Sequence, residues 1–127
     1  MKKEKEITVL MIAPGEHPAI TTLRKDLDAL QKAVSIGADY QGLIEIIGID
    51  DGVCLLCNEE GKLIGLEGNR RIGRDIIAGV FYSVGEDGLG NLTSLPEPLM
   101  QAYMERFWEP EQYTAADIEH ALFMRFF

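Results

Sequence analysis

The sequence predicts an α+β fold: an antiparallel or mixed sheet of about five to six strands with helices packed on one face. Three observations lead there. Short β-branched and aliphatic runs, such as ITVLMIA (7–13), LIEIIGI (43–49), VCLLC (53–57) and IIAGVFYSV (76–84), are separated by turn sequences rich in Gly, Asp and Pro. Apolar residues recur at helical spacing in two other places, between Leu23 and Val34 and after Leu95. At 127 residues, 46% hydrophobic and 26% charged, the composition is that of one ordinary globular domain.

Taken in order, 7–13 is a strand, Pro14-Gly15 a turn, and Ala19 to Leu23 the return of an opening hairpin. Leu23, Leu27, Leu30 and Val34 form one stripe of an amphipathic helix, with Asp26 or Thr22 as its N-cap and Gly37 as its stop. Strand 43–49 turns through Asp50-Asp51-Gly52 into 53–57, which is apolar on both faces and therefore central. A turn at Asn58 to Gly61 precedes a short strand, Lys62 to Leu66. Residues 67–75 form a loop in which Gly68 and Gly73 bracket the arginines. Strand 76–84 follows, and Gly79 within it marks a bulge or a close backbone approach.

Beyond the polar loop 86–91 the period becomes helical. Ser94 and Glu97 have capping-box spacing, with Pro96 in the first turn. Leu99, Tyr103 and Phe107 make the apolar stripe, and Pro110 ends the helix. Thr114 to Asp117 opens a last helix with Ile118 and Leu122 inward. The expected order is β-β-α-β-β-β-β-α-α.

Acidic residues outnumber basic ones 21 to 12, for a net charge of -9. Direct DNA binding is not expected, because it depends on neutralising phosphates with Lys and Arg. No apolar run approaches the ~20 residues that cross a bilayer, so no membrane partner is expected. The charged start MKKEKE leads straight into a strand without a secretory cleavage pattern. Together with only two cysteines, this places the expected location in the cytoplasm.

The segments ITVLMIAPGEHP, DLDALQKAV, DDGVCLLCNEEGKLIGLEGNRRI and DIIAGVFYSVG, in that order and spacing, resemble the family known as domain of unknown function 3846. The resemblance spans residues 7–107. It implies a setting in Gram-positive bacteria, their phages and conjugative elements, and it implies no established activity. The family's recurring Asn-Arg falls on Asn69-Arg70, which carry no assigned role. The domain limits that follow are 1–107 for the α+β domain and 108–127 for a C-terminal helical extension, packed on the same domain or on a second subunit.

No residue pattern specifies a reaction, a metal or a cofactor, so none is expected. Cys54 and Cys57 have CxxC spacing, but three residues apart on a strand they face opposite ways, and no second ligand pair exists. His17 and His120 lie far apart, and Ser83 and Ser94 lack a nucleophile's context. The acid pairs Asp50-Asp51, Glu59-Glu60 and Glu86-Asp87 each sit at a turn beside glycine, where solubility and turn geometry explain them.

The exception is the segment holding Asn69, Arg70, Arg71 and Arg74, where three of the twelve basic residues fall within five positions. Glycine exposes backbone N–H groups there, and arginine offers a planar fork for carboxylate or phosphate. The expected function is thus a non-enzymatic interaction or regulatory protein of a mobile genetic element, binding an acidic or phosphorylated partner through these four residues. Their pairing with the chain's own acids would remove that role.

Two alternatives come from other classes. One is a small-ligand or nucleotide-handling enzyme with its pocket between the 67–75 loop and the helical face. The other is an acidic DNA mimic, suggested by six acids against one arginine between residues 97 and 119. The tail, with Phe123, Phe126 and Phe127, suits either core packing or a homodimer seam.

Overall fold

The computed structural model describes residues 5–124. Its elements are β1 (Glu6–Ile12), β2 (Ala19–Arg24), α1 (Leu27–Ala33), β3 (Ile44–Asp50), β4 (Val53–Asn58), β5 (Gly68–Ile72), β6 (Asp75–Ala78), β7 (Phe81–Glu86), β8 (Leu92–Thr93), α2 (Glu97–Arg106) and α3 (Ala115–Met124). The main sheet is six-stranded in the order β2-β1-β7-β4-β3, with β8 added to β7. Its neighbouring strands all pair antiparallel. β5 and β6 form a separate antiparallel hairpin. The α+β class is as the sequence predicts.

β4 lies inside the sheet, and all six of its residues are buried. That is why VCLLC lacks the apolar-polar alternation of a strand with one wet face. Successive side chains divide between two cores. Leu10, Ile12, Leu55 and Phe81 pack beneath Met100, Tyr103 and Phe107 of the α2 segment. Ile7, Val9, Leu56, Tyr82 and Val84 pack against Leu30 and Val34 of the α1 segment. The helices therefore cover both faces of the sheet, not the single face expected. A central strand apolar at every position must be covered twice, and burying each large side chain there contributes about 1.5–3 kcal/mol.

The ends of the helices depart from expectation in instructive ways. Asp26 is the N-cap of α1, its Oδ1 accepting the Ala29 N–H at 2.8 Å. Leu23 belongs to β2, opposite Ile7, and Leu27 is 66% exposed, so only Leu30 and Val34 of the expected stripe reach the sheet. Ser94 does not cap α2: the helix begins later, behind Pro96, and Ser94 Oγ accepts the Thr8 N–H at 2.9 Å. α3 opens on a reciprocal pair, Thr114 Oγ1 accepting from Asp117 N–H and Asp117 Oδ2 accepting from Thr114 N–H.

The largest revision concerns residues 62–84. Lys62 to Leu66 is a series of turns, closed by Ile64 N–H to Glu60 O and Leu66 N–H to Gly61 O. The expected loop 67–75 is instead the β5–β6 hairpin. The expected single strand 76–84 is broken at Gly79, whose φ of +86° no L side chain adopts readily, with Leu66 Cδ1 only 2.7 Å from where a Cβ would stand. This break lets β6 leave the main sheet and fold back on β5.

Candidate functional site

The β5–β6 hairpin joins Ile72 to Asp75 through the two-residue turn Gly73-Arg74, with Gly73 at φ +59°. Its register slips between Gly68 and Arg70, leaving Asn69 as the extra residue of a bulge. Neighbouring residues on a regular strand face opposite sides. Here Asn69 and Arg70 are both fully buried and bonded to each other. The bulge thus turns inward two of the four residues expected to face a partner.

Asn69 Nδ2 donates to Ile12 O and Gly79 O, both at 2.9 Å, and its Oδ1 accepts from Arg70 Nη1 at 2.8 Å. Arg70 Nε and Nη2 both reach Phe107 O, at 3.1 and 2.8 Å, and Nη2 also reaches Glu16 O at 2.7 Å. Four donated hydrogen bonds end on neutral oxygens. Phe107 is the C-cap of α2, where the helix dipole favours a cation. Burial pushes the Arg70 pKa down, and Glu111 and Tyr113 push it back up. Arginine remains charged throughout. One guanidinium thereby joins the turn after β1, the hairpin and the end of α2.

Arg71 and Arg74 stay outside, both exposed. The Arg71 guanidinium lies 5.5 Å from the centre of the Tyr113 ring, and its backbone N–H donates to Glu111 Oε1 at 3.0 Å. Tyr113 OH donates to the same carboxylate. Burial, then Glu111, raises the Tyr113 pKa. Arg74 sits on the turn itself. Lys62 holds the turn end of the hairpin through Asp75 Oδ1 (2.9 Å) and Ile76 O (3.1 Å).

Beside Arg70, His17 stacks on Trp108 with ring centres 4.1 Å apart and planes at 11°, and His17 Nδ1 donates to Trp108 O at 2.6 Å. Trp108 is 43% exposed. Sequence reading passed over this pair, because 91 residues separate its members and nothing local links them.

The remaining candidates fall into place. Cys54 and Cys57 are free, buried and on opposite faces of β4. Burial, helped by Glu45, pushes the Cys57 thiol up to about 12, which withholds the thiolate that redox or metal chemistry needs. Glu86 and Asp87 hold their own turn by accepting N–H groups from residues 88–91. Asp50 Oδ2 accepts from Tyr103 OH at 2.8 Å. Of the acids between 97 and 119, Glu111 is turned toward Arg71 and Tyr113, and Asp117 caps α3. Ser83 is fully buried, and its Oγ has no hydrogen-bond partner among the described residues.

In the C-terminal segment, α3 packs on the hairpin: a Cβ on Gly68 would stand 2.7 Å from Ile118 Cδ1 and 3.0 Å from Tyr113 Cβ. Phe123 points outward at 60% exposure, while Phe126 and Phe127 lie outside the described residues. No helix among the described residues is long and apolar enough to cross a membrane.

Fold and site together define a small α+β protein, an antiparallel sheet covered on both faces, with an internally clamped hairpin that presents two arginines. The chain belongs to the family described as Domain of unknown function (DUF3846), which matches residues 7–108. The match takes in the whole Arg70 network and stops before α3. No curated protein and no solved structure matches the chain.

Proposed function

We propose that this chain is a non-enzymatic interaction or regulatory protein that binds an acidic or phosphorylated segment of a partner through Arg71 and Arg74. The observation carrying this reading is the division of labour in the arginine cluster. Arg70 and Asn69 are committed to internal oxygens and hold the hairpin. Arg71 and Arg74 project from it on the outside. A rigid mount lowers the conformational entropy lost when a side chain engages an anion. The Arg71 guanidinium rests against the Tyr113 ring, and arginine's planar fork matches the geometry of carboxylate and phosphate. The cytoplasm of a cell carrying a phage or conjugative element is the setting that accompanies this reading.

The test is fluorescence anisotropy with a labelled Glu-rich peptide carrying one phosphoserine, at two salt concentrations. The expected result is saturable binding that weakens with salt and falls at least tenfold in Arg71→Ala/Arg74→Ala, with inorganic phosphate competing. Absence of binding, or equal binding by that variant, rejects the proposal.

A further inference from the structure

Away from the arginine hairpin, the main sheet ends in an edge with which no strand among the described residues pairs. β3 is the terminal strand. Antiparallel alternation fixes which of its backbone groups face outward. Glu59 N–H donates to Leu43 O at 2.9 Å, so residues 43, 45 and 47 exchange hydrogen bonds with β4. The N–H and C=O groups of Ile44, Ile46 and Gly48 therefore point to the open side. Edge strands are blunted by charged residues, proline or bulges; β3 has no lysine or proline, and its bulge lies at the far end, between Gly48 and Asp50, leaving Ile44 to Gly48 in regular register.

Beside this edge lies a groove of about 420 Å³ between α1 and β3, almost wholly apolar. Leu27, Leu43 and Ile46 line it at 66%, 56% and 59% exposure, because a helix of seven residues is too short to cover the sheet to its margin. Ile44 and Ile46 share the face that looks into the groove, so a strand added to β3 would place alternate side chains there. The one charged residue lining the groove is Glu59, and Lys32 on α1 is paired with Asp28. Glu59 stands at one end of β3, and Asp51, Glu86 and Asp87 gather at the other around a depression of about 290 Å³.

We infer that β3 is a docking edge for an extended basic segment of a partner protein, one that alternates apolar residues with lysine or arginine and adds as a further antiparallel strand. The backbone ladder supplies affinity, the groove takes the apolar side chains, and the acids at both ends select the positive charge. This surface is independent of the Arg71/Arg74 proposal, being on the other face of the sheet and of opposite charge.

The test uses two labelled eight-residue peptides, one alternating lysine with valine and the other glutamate with valine, titrated into the full chain. The lysine peptide is expected to bind at least tenfold more tightly. Ile46→Pro, which removes an outward N–H, should weaken it at least fivefold. So should Leu27→Lys/Leu43→Lys, a surface change that leaves the fold intact by its melting curve. Arg71→Ala/Arg74→Ala should bind it as the unaltered chain does. Equal affinity for the two peptides, or indifference to Leu27→Lys/Leu43→Lys, overturns the inference. So does sedimentation showing a dimer whose formation excludes the peptide, since the edge would then belong to a second copy.

Discussion

Arg70→Ala should be among the most damaging single changes in this protein, and the structure lets its size be worked out. Arg70 donates four hydrogen bonds to three oxygens: Phe107 O, Glu16 O and Asn69 Oδ1. Removing it leaves those acceptors without donors, at about 1–3 kcal/mol each where water cannot replace them. Against this, the variant no longer buries a guanidinium, a relief of several kcal/mol. Water can reach the partly buried Glu16 end but not the Phe107 end. The net expectation is a loss of about 3 kcal/mol, a large share of the roughly 5–15 kcal/mol that holds a domain together. Arg70→Met separates packing from bonding: it refills the space with an apolar stem, recovering about 2 kcal/mol, but donates to none of the three oxygens, so it should stay less stable than the unaltered chain by about 1 kcal/mol or more. The assay is urea unfolding followed by fluorescence of Trp108, the chain's one tryptophan, which adjoins the Phe107 carbonyl. The midpoint should fall with little change in slope. A loss below about 1 kcal/mol for Arg70→Ala, or full recovery in Arg70→Met, would refute the view that these hydrogen bonds fix the hairpin.

Two further outcomes follow from the same coordinates. The Cys57 thiol rises from 9.0 to about 12 and the Tyr82 hydroxyl from 10.0 to about 12, both chiefly through burial. Below pH 9 both the folded and unfolded chains keep the thiol proton; above it only the unfolded chain releases it, so stability should decline toward pH 12 by about 1.4 kcal/mol per pH unit from Cys57 alone. Cys57→Ala should flatten the onset of that decline in pH-dependent urea titrations, and a thiol reagent at pH 8 should leave both cysteines unlabelled until the chain is unfolded. Gly73→Ala meets only the left-handed strain of about 1–2 kcal/mol, having no heavy atom within 4 Å of its new Cβ, whereas Gly79→Ala adds a clash with Leu66 Cδ1 at 2.7 Å; thermal melts should rank Gly79→Ala as the more destabilised, and the reverse order would contradict the fold-back of β6.

What the sequence revealed was local, and what it concealed was relational. Strands β1, β3, β4 and β7 were legible because apolar runs bounded by Gly and Asp turns have few other solutions, and the full apolarity of VCLLC announced a central strand. That same observation implied cover on both faces, which the pattern of helices alone did not disclose. Residues 76–84 read as one strand because β-branched content is continuous across Gly79; the glycine marks a local irregularity in the sequence but does not disclose a full break between β6 and β7. The arginine cluster reads as a loop in the sequence, whereas it lies on a bulged hairpin. A bulge cannot be recognised from spacing, and without it Asn69 and Arg70 belong to opposite faces. The partners of Arg70 were wholly hidden: two are backbone carbonyls, 54 and 37 residues away, which any residue would supply.

Those partners also suggest how the domain divides its tasks. The turn at Glu16, the bulge at Asn69 and the C-cap Phe107 are three interruptions of regular structure, and they border one apolar cluster that holds Ile12, Ile72, Ile77 and Phe107. A single buried guanidinium supplies the donors that three such segments lack, and its planar fork sets their relative positions in a way an ammonium could not. The cost of burying that charge is met only if all its oxygens are present together, which couples the hairpin to both the β1 turn and α2. The Asn69-Arg70 pair thus serves the fold from inside, while Arg71 and Arg74 beyond it remain exposed.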